Sequence, residues 1–187
     1  MHQIVLISGP PHPGRSAVAR ALCERFDRML HVDVDALRSW VRAGYRGPWA
    51  PDEQAREQRL LAVRNASAIA RECSALRYAC VIDDTALAAD LQAYGAALAG
   101  AGAPVHVVTL LAARDAAPRP ASGRDPAEGG AIESLGESFA REAASGLLPG
   151  VVLDTSRDPG PHYTADRVQD AVASGEALVA WESSARE

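Results

Sequence analysis

The feature that most constrains this chain is its start. Ile4-Val5-Leu6-Ile7 is apolar at every position, and it runs into Gly9-Pro10-Pro11-His12-Pro13-Gly14-Arg15-Ser16. From Ser16 the pattern changes, with Val18, Leu22 and Phe26 spaced four apart. A continuous apolar run predicts a strand buried on both faces, and fourfold spacing predicts one face of a helix. A strand that passes through a Gly/Pro turn into a helix is the first half of a βαβ unit, which commits the chain to a parallel sheet with helices packed on it.

The rest of the chain repeats that alternation. Leu30 to Val34 predicts a second strand, Ala36 to Ala43 a short helix, and Gly44 to Ala50 a loop. Pro51-Asp52-Glu53 places proline and acids where a helix begins. Ala62, Ala66, Ile69, Cys73 and Leu76 continue that helix as one apolar stripe. Ala79 to Ile82 is a strand that ends in Asp83-Asp84, and Leu87, Leu91, Tyr94 and Leu98 mark the next helix. Val105 to Leu111 is a further strand. Pro118 to Gly130 holds six Pro or Gly residues and almost nothing apolar, which predicts a mobile segment. Helix spacing returns at Ile132, Leu135 and Phe139. Val151-Val152-Leu153 is the last strand, and Val168, Val172, Gly175 and Val179 mark a closing helix. With no repeat and no linker between two cores, residues 1–187 are expected to form a single domain. In such sheets ligands bind beyond the carboxyl ends of the strands. Ser8-Gly9, Asp33, Asp35, Asp83, Asp84 and Asp154-Thr155-Ser156 fall there.

Composition removes several alternatives. No apolar run approaches the roughly 18 residues of a membrane span. The opening Met1-His2-Gln3-Ile4 lacks the basic region and cleavage site of a signal peptide, so a cytoplasmic protein is expected. A net charge of −5 speaks against a nucleic-acid partner. Cys23, Cys73 and Cys80 have no metal-ligand spacing and read as buried thiols. His2, His31, His106 and His162 lack partner spacing and read as structural. All 19 basic residues are arginine, so an arginine can stand where another chain has lysine.

Residues Gly9 to Ser16 have the frame G-x-x-x-x-G-[basic]-S between a strand and a helix, the context that gives a phosphate-binding loop its meaning. Backbone N–H groups and the helix N-terminus hold phosphates, and the serine hydroxyl meets Mg²⁺. At the end of the second strand, the Asp35 carboxylate can orient and deprotonate an attacking hydroxyl, and Asp is also favoured as an N-cap of the Ala36 helix. Asp83 and Asp84 suit a metal-bound water or a substrate hydroxyl, or a polar strand end with a helix cap. Arg38, Trp40, Tyr45, Arg46 and Trp49 cluster after Asp35. Aromatics with arginines suit a flat or sugar-like ligand carrying an acidic group. Ordinary helix packing is the other reading, for Trp40 above all.

The loop resembles G-P-P-G-S-G-K-S of small P-loop kinases, in particular the chloramphenicol phosphotransferase-like and shikimate-kinase-like group. The likeness extends through Val32 to Arg38, Gly44-Tyr45…Pro48-Trp49, Val81 to Asp84 and Val152 to Thr155. It implies a three-layer α/β P-loop NTPase kinase-like fold with a five-stranded parallel sheet in the order 2-3-1-4-5. It also implies a flexible lid over about 114–131. ATP (or another NTP) and Mg²⁺ are the implied cofactors. The resemblance makes Asp35 the base for an acceptor hydroxyl and puts Ser16 and Asp33 near the metal. Gly9, Pro10, Pro11, His12, Pro13, Gly14, Arg15 and Ser16 hold phosphate, and Arg114, Arg119 and Arg124 belong to the nucleotide and lid side. Asp35, Arg38, Tyr45, Trp49, Asp83 and Asp84 line the acceptor site. The activity implied is phosphoryl transfer to a small-molecule hydroxyl, an antibiotic or a related metabolite. No nucleic-acid or membrane partner is expected, and a homodimer is a candidate assembly.

The loop departs from that pattern at three positions. His12 replaces a glycine, Pro13 has no N–H to donate, and Arg15 is a planar fork instead of a point charge. These changes open a second reading: a degenerate loop that has lost ATP chemistry and serves as a binding or regulatory module, or acts on another phosphorylated ligand.

Overall fold

The computed structural model describes residues 2–11, 13–112 and 126–181. The elements are β1 (Ile4–Ser8), α1 (Pro13–Cys23), β2 (Met29–Asp33), α2 (Val34–Arg38), α3 (Glu53–Ala75) and β3 (Ala79–Asp83). They continue with α4 (Ala88–Leu98), β4 (Val105–Leu111), α5 (Pro126–Ala144), β5 (Val151–Asp154) and α6 (Pro161–Ser174). The strands form one parallel sheet in the order β2-β3-β1-β4-β5. That is the fold expected from the sequence.

The apolar runs are explained by two cores, one on each face of the sheet. Ile4, Leu6, Cys80, Ile82 and Val107 pack with Ala62, Val63 and Ala66 of α3, Leu91, Tyr94 and Leu98 of α4, and Phe139 of α5. Their neighbours Val5, Ile7, Val81 and Val108 pack with Val18 and Leu22 of α1 and with Ala165, Val168 and Val172 of α6. Successive strand residues point to opposite faces, so both sets must be apolar. Three layers result. Among the described residues no helix is long and apolar enough to cross a membrane.

Several boundaries differ from expectation, each for a local reason. The helix expected over 36–43 is α2, which starts at Val34 and ends at Arg38. It starts early because the Asp33 carboxylate accepts from the Ala36 N–H at 3.1 Å and so caps the helix. It ends early where the Ser39 hydroxyl donates to the Ala36 carbonyl at 2.6 Å. Leu76 lies past the end of α3 and is exposed. The closing helix stops at Ser174, with Gly175 in the left-handed region at φ 84°. Val179 therefore lies outside it, and its N–H donates to the Val105 carbonyl at 3.0 Å beside β4. Of the segment expected as a lid, residues 126–131 belong to α5, and 113–125 lie outside the described residues.

Gly9 is the turn on which the site depends. Its φ is +149°, and a Cβ there would sit 2.4 Å from the Leu110 carbonyl oxygen of β4. Gly9→Ala should lower stability by about 3 kcal/mol, because both the backbone conformation and the space exclude a side chain. Gly136, inside α5 with nothing within 4 Å of an added Cβ, is the contrast: Gly136→Ala should raise stability by up to about 1 kcal/mol. Denaturant midpoints of the two variants test this; equal shifts would contradict it.

Candidate active site

The carboxyl ends of β1, β2 and β3 lie side by side. Ile7 is in register with Asp83, and Asp83 with Asp33. The Ser8 hydroxyl donates to the Ala86 carbonyl at 2.7 Å and accepts from the Ala86 N–H at 3.1 Å, which ties the start of the loop to the segment after β3. The loop then turns into α1, whose first turn carries no acidic residue. A helix N-terminus suits an anion. His12 lies outside the described residues, and Pro13 is the first residue of α1.

Arg15 is buried beneath the loop. Its Nε donates to Asp83 Oδ1, and its Nη1 donates to the Gly9 carbonyl at 3.0 Å and to the Thr85 hydroxyl. Its Nη2 stands 3.7 Å from Asp35 Oδ2. Asp83 is buried as well, and its other oxygen faces His31 Nε2 at 3.4 Å. Burial alone would push the Asp83 carboxyl up. Hydrogen bonds from His31, Ser16 and Arg15, together with the Arg15 charge, outweigh it and hold the group at about 2.

These residues fit a magnesium–nucleotide pair in a specific way. Mg²⁺ takes oxygen ligands and keeps few from the protein when phosphates supply the rest. The Ser16 hydroxyl and the Asp83 carboxylate are hydrogen-bonded oxygen donors at the foot of the loop. Among the described residues no group of three or more His, Cys, Asp or Glu forms a closed metal cage. Asp33, expected beside the metal, uses Oδ1 to cap α2, and Asp83 is the carboxylate against Ser16.

Asp35 follows a different route from Asp33 because the strand ends between them. It lies in the first turn of α2, so the capping role weighed for it belongs to Asp33. Its side chain is 63% exposed, and Oδ1 accepts from Arg38 Nη1 at 2.6 Å. Arg38 is buried. Its Nη2 donates to Asp84 Oδ1 at 2.7 Å, and the Tyr94 hydroxyl donates to Asp84 Oδ2 at 2.8 Å. Both Asp84 oxygens are thus held within the protein, where a contact to a substrate hydroxyl was expected. Burial would lower the Arg38 pKa, but the Asp84 and Asp35 charges raise it further. Burial and the Asp84 charge push the Tyr94 phenol well above its ordinary value. Charges therefore alternate along Asp83, Arg15, Asp35, Arg38 and Asp84.

Arg38, the partner of Asp35, lines a narrow cleft with Val41, Tyr45, Arg46, Pro48, Gln58 and Arg59, with space for about one water. A more open groove of about 160 Å³ beside it shares Arg38, Val41 and Gln58 and adds Trp40 and Leu61. The loop over the cleft is held by α3: Gln58 Nε2 donates to the Gly44 carbonyl at 2.8 Å, and Gln58 Oε1 accepts from the Arg46 N–H at 2.9 Å. Trp49 lies against the Arg59 guanidinium, 5.6 Å from its carbon to the ring centre. Of the expected aromatics, Tyr45 lines the cleft, Trp49 backs it through Arg59, and Trp40 is largely exposed. Arg114, Arg119 and Arg124 lie outside the described residues. Gln58, Arg59, Thr85 and Tyr94 do not stand out in the sequence, and His31, which reads there as structural, faces Asp83. A histidine interrupting an apolar strand was a signal for His31; Gln58 and Arg59 look like a polar helix face, and Tyr94 like ordinary core.

The pattern of the AAA domain family matches residues 4–145. No curated protein matches the chain. Solved structures do. The Deinococcus radiodurans tunicamycin resistance protein superposes with a TM-score of 0.64 at 19% identity, covering 97% of this chain and 100% of that one. Shikimate kinase from Aquifex aeolicus gives 0.59 at 14% identity, over 94% of this chain and 98% of that one. Mycobacterium tuberculosis APS kinase, solved with AMPPNP and APS, gives 0.57 at 15% identity, over 92% and 98%. At these identities the likeness is one of fold: the P-loop kinase-like α/β architecture.

The Asp83 environment predicts an acid-sensitive fold. Its carboxyl is held near 2, below the ordinary 3.8, so it stabilises the native state above 3.8 and loses that contribution as pH falls through 2. The loss amounts to about 2 kcal/mol. Stability measured from pH 5 to pH 2 should fall more steeply in the wild type than in Asp83→Asn. Parallel curves would show that Asp83 is not held in this way.

Proposed function

The chain belongs to the AAA domain family, and we propose that it is a P-loop phosphotransferase that transfers the γ-phosphoryl group of ATP, or another nucleoside triphosphate, to a hydroxyl of a small molecule. One observation carries the reading. The exposed Asp35 carboxylate lies against Arg15 of the phosphate loop on one side and Arg38 of the cleft on the other. A group placed there serves the junction of a donor and an acceptor.

The loop amides and the α1 N-terminus would bind the phosphates, and Ser16 with Asp83 would hold the metal; Asp33, whose Oδ1 caps α2, ends the neighbouring strand. When bound, the magnesium–nucleotide pair supplies the phosphoryl group and neutralises its charge. Asp35 orients the acceptor hydroxyl and takes its proton. Arg114, Arg119 and Arg124 are assigned to the lid side by the resemblance. The cleft carries Arg38, Arg46 and Arg59, and the Nε atoms of Arg38 and Arg59 are buried with no partner among the described residues. This favours an acceptor seated in the neighbouring groove of about 160 Å³, with an acidic or strongly hydrogen-bond-accepting group turned toward these arginines and Tyr45. An antibiotic or related metabolite fits that description. Tunicamycin is the first acceptor to try, because a tunicamycin resistance protein shares the fold along its whole length. We further infer a single cytoplasmic domain that acts without nucleic acid or membrane, with a homodimer as the assembly to test for.

A second reading has its own observation. The Arg15 guanidinium is engaged by Asp83, Thr85 and the Gly9 carbonyl, which favours a binding module that keeps an anion site and has given up transfer.

Magnesium–ATP at 100 times its dissociation constant should stabilise the fold by about 2.7 kcal/mol under either reading. Transfer of labelled phosphate from ATP or GTP to tunicamycin or another hydroxyl acceptor supports the first reading, binding without transfer supports the second, and no binding of ATP, GTP or ADP overturns both. With an acceptor in hand, Asp35→Asn should lower turnover by about 10²–10⁴ and leave nucleotide affinity and melting temperature nearly unchanged. Full turnover in Asp35→Asn would remove it as the base.

A further inference from the structure

We propose that Tyr94 and Asp84 are positioning residues: from inside the core they fix the guanidinium of Arg38, and through it the carboxylate of Asp35. The proposal rests on Asp35 as the base in the reading above.

The geometry is a relay with one wet end. Tyr94 is fully buried in the middle of α4, Asp84 is 1% exposed and Arg38 is 7% exposed, whereas the Asp35 side chain is 63% exposed. The Tyr94 hydroxyl takes one Asp84 oxygen, Arg38 Nη2 takes the other, and Arg38 Nη1 reaches Asp35. Each terminal nitrogen of a planar, rigid fork is thus bound to a different carboxylate, which fixes the plane of the group. The three bonds, at 2.8, 2.7 and 2.6 Å, are continuous from α4 to α2.

Stability alone does not account for this arrangement. A buried carboxylate and guanidinium that are replaced together by apolar groups often leave a protein as stable or more so. What the relay supplies is a defined direction for an otherwise free side chain. Asp35 is a short residue on a five-residue helix, and a second cation, Arg15, stands 3.7 Å from its other oxygen. If Arg38 is loosened, Asp35 is free to close on Arg15 and turn from the cleft toward the loop. Tyr94 touches neither ligand site, so its effect on the reaction passes through Arg38. The nearby charges of Asp90 and Arg59 act on the same group of residues, and they remain in place when Tyr94 is changed.

The test is Tyr94→Phe, which keeps the ring in the core and removes the hydroxyl. Leu98→Val, on the same helix, is the control for a general loss of packing. The first readout is hydrogen exchange at the Arg38 side chain, followed by nitrogen-edited NMR of the free protein. Exchange should rise several-fold in Tyr94→Phe and stay unchanged in Leu98→Val, with Asp84→Asn behaving as Tyr94→Phe does. The second readout is kinetic: kcat should fall about tenfold in Tyr94→Phe, the order expected from a small misplacement of a reacting group, with the nucleotide Kd unchanged. Unaltered Arg38 exchange and kcat in Tyr94→Phe, at whatever melting temperature, would overturn the proposal and make Tyr94 ordinary core. A wild-type protein that transfers no phosphate would overturn the role of Asp35 as base, and the exchange measurement would still decide whether Tyr94 holds Arg38.

Discussion

The ion pair between Arg15 and Asp83, sealed under the loop, sets the rest of the site. Separating two such charges, or deleting one, leaves the other in a low-dielectric interior at a penalty of about 3–5 kcal/mol. The pair therefore fixes α1 against the end of β3, and through the Gly9 carbonyl it fixes the loop as well. Ser16 follows Arg15 by one residue and reaches the same carboxylate. The foot of the phosphate loop is consequently a rigid surface, built before any ligand arrives.

Around that pair the charges alternate, and the alternation is what makes so much buried charge tolerable. Asp83 is flanked by Arg15 and His31, Arg15 by Asp83 and Asp35, and Arg38 by Asp35 and Asp84. Two arginines and two aspartates lie inside the protein, each facing an opposite charge. Asp35 is the exposed member, so the network opens to solvent at the one carboxylate that both arginines reach. The sheet enforces this placement: β1, β2 and β3 end together, and the loop, α2 and the turn after β3 all start from that edge.

The fold was legible because its signals are dense and local. Five apolar runs, each followed by helical spacing, leave little choice beyond a parallel sheet covered on both sides. The order 2-3-1-4-5 came from resemblance, not from periodicity. Boundaries failed where a single side chain decides them: the carboxylate of Asp33 started α2 early, and Gly175 ended α6 short of Val179. In the site, Arg15, Asp35 and Asp83 stand out by type in the sequence, and the structure brings them together. His31, Arg59 and Tyr94 do not stand out, because what matters about them is which atoms they meet across strands and helices far apart in the chain. Tyr94 has the spacing of a core residue and is one; its hydroxyl gains meaning from Asp84, which the sequence places ten positions away with no periodic link to it.

Arginine at position 15 suits the same geometry. An ammonium group is a point charge with three donors, whereas a guanidinium offers five in a fixed plane. Here that plane is used in three directions at once: Nε to Asp83, Nη1 to Gly9 and Thr85, and Nη2 toward Asp35. A lysine able to pair with Asp83 has no rigid arm left to point at Asp35. Arginine therefore does something that lysine in this position does not: it links the loop to the exposed carboxylate that Arg38 also binds. The partners it has acquired explain why the rest of the site is arranged around it.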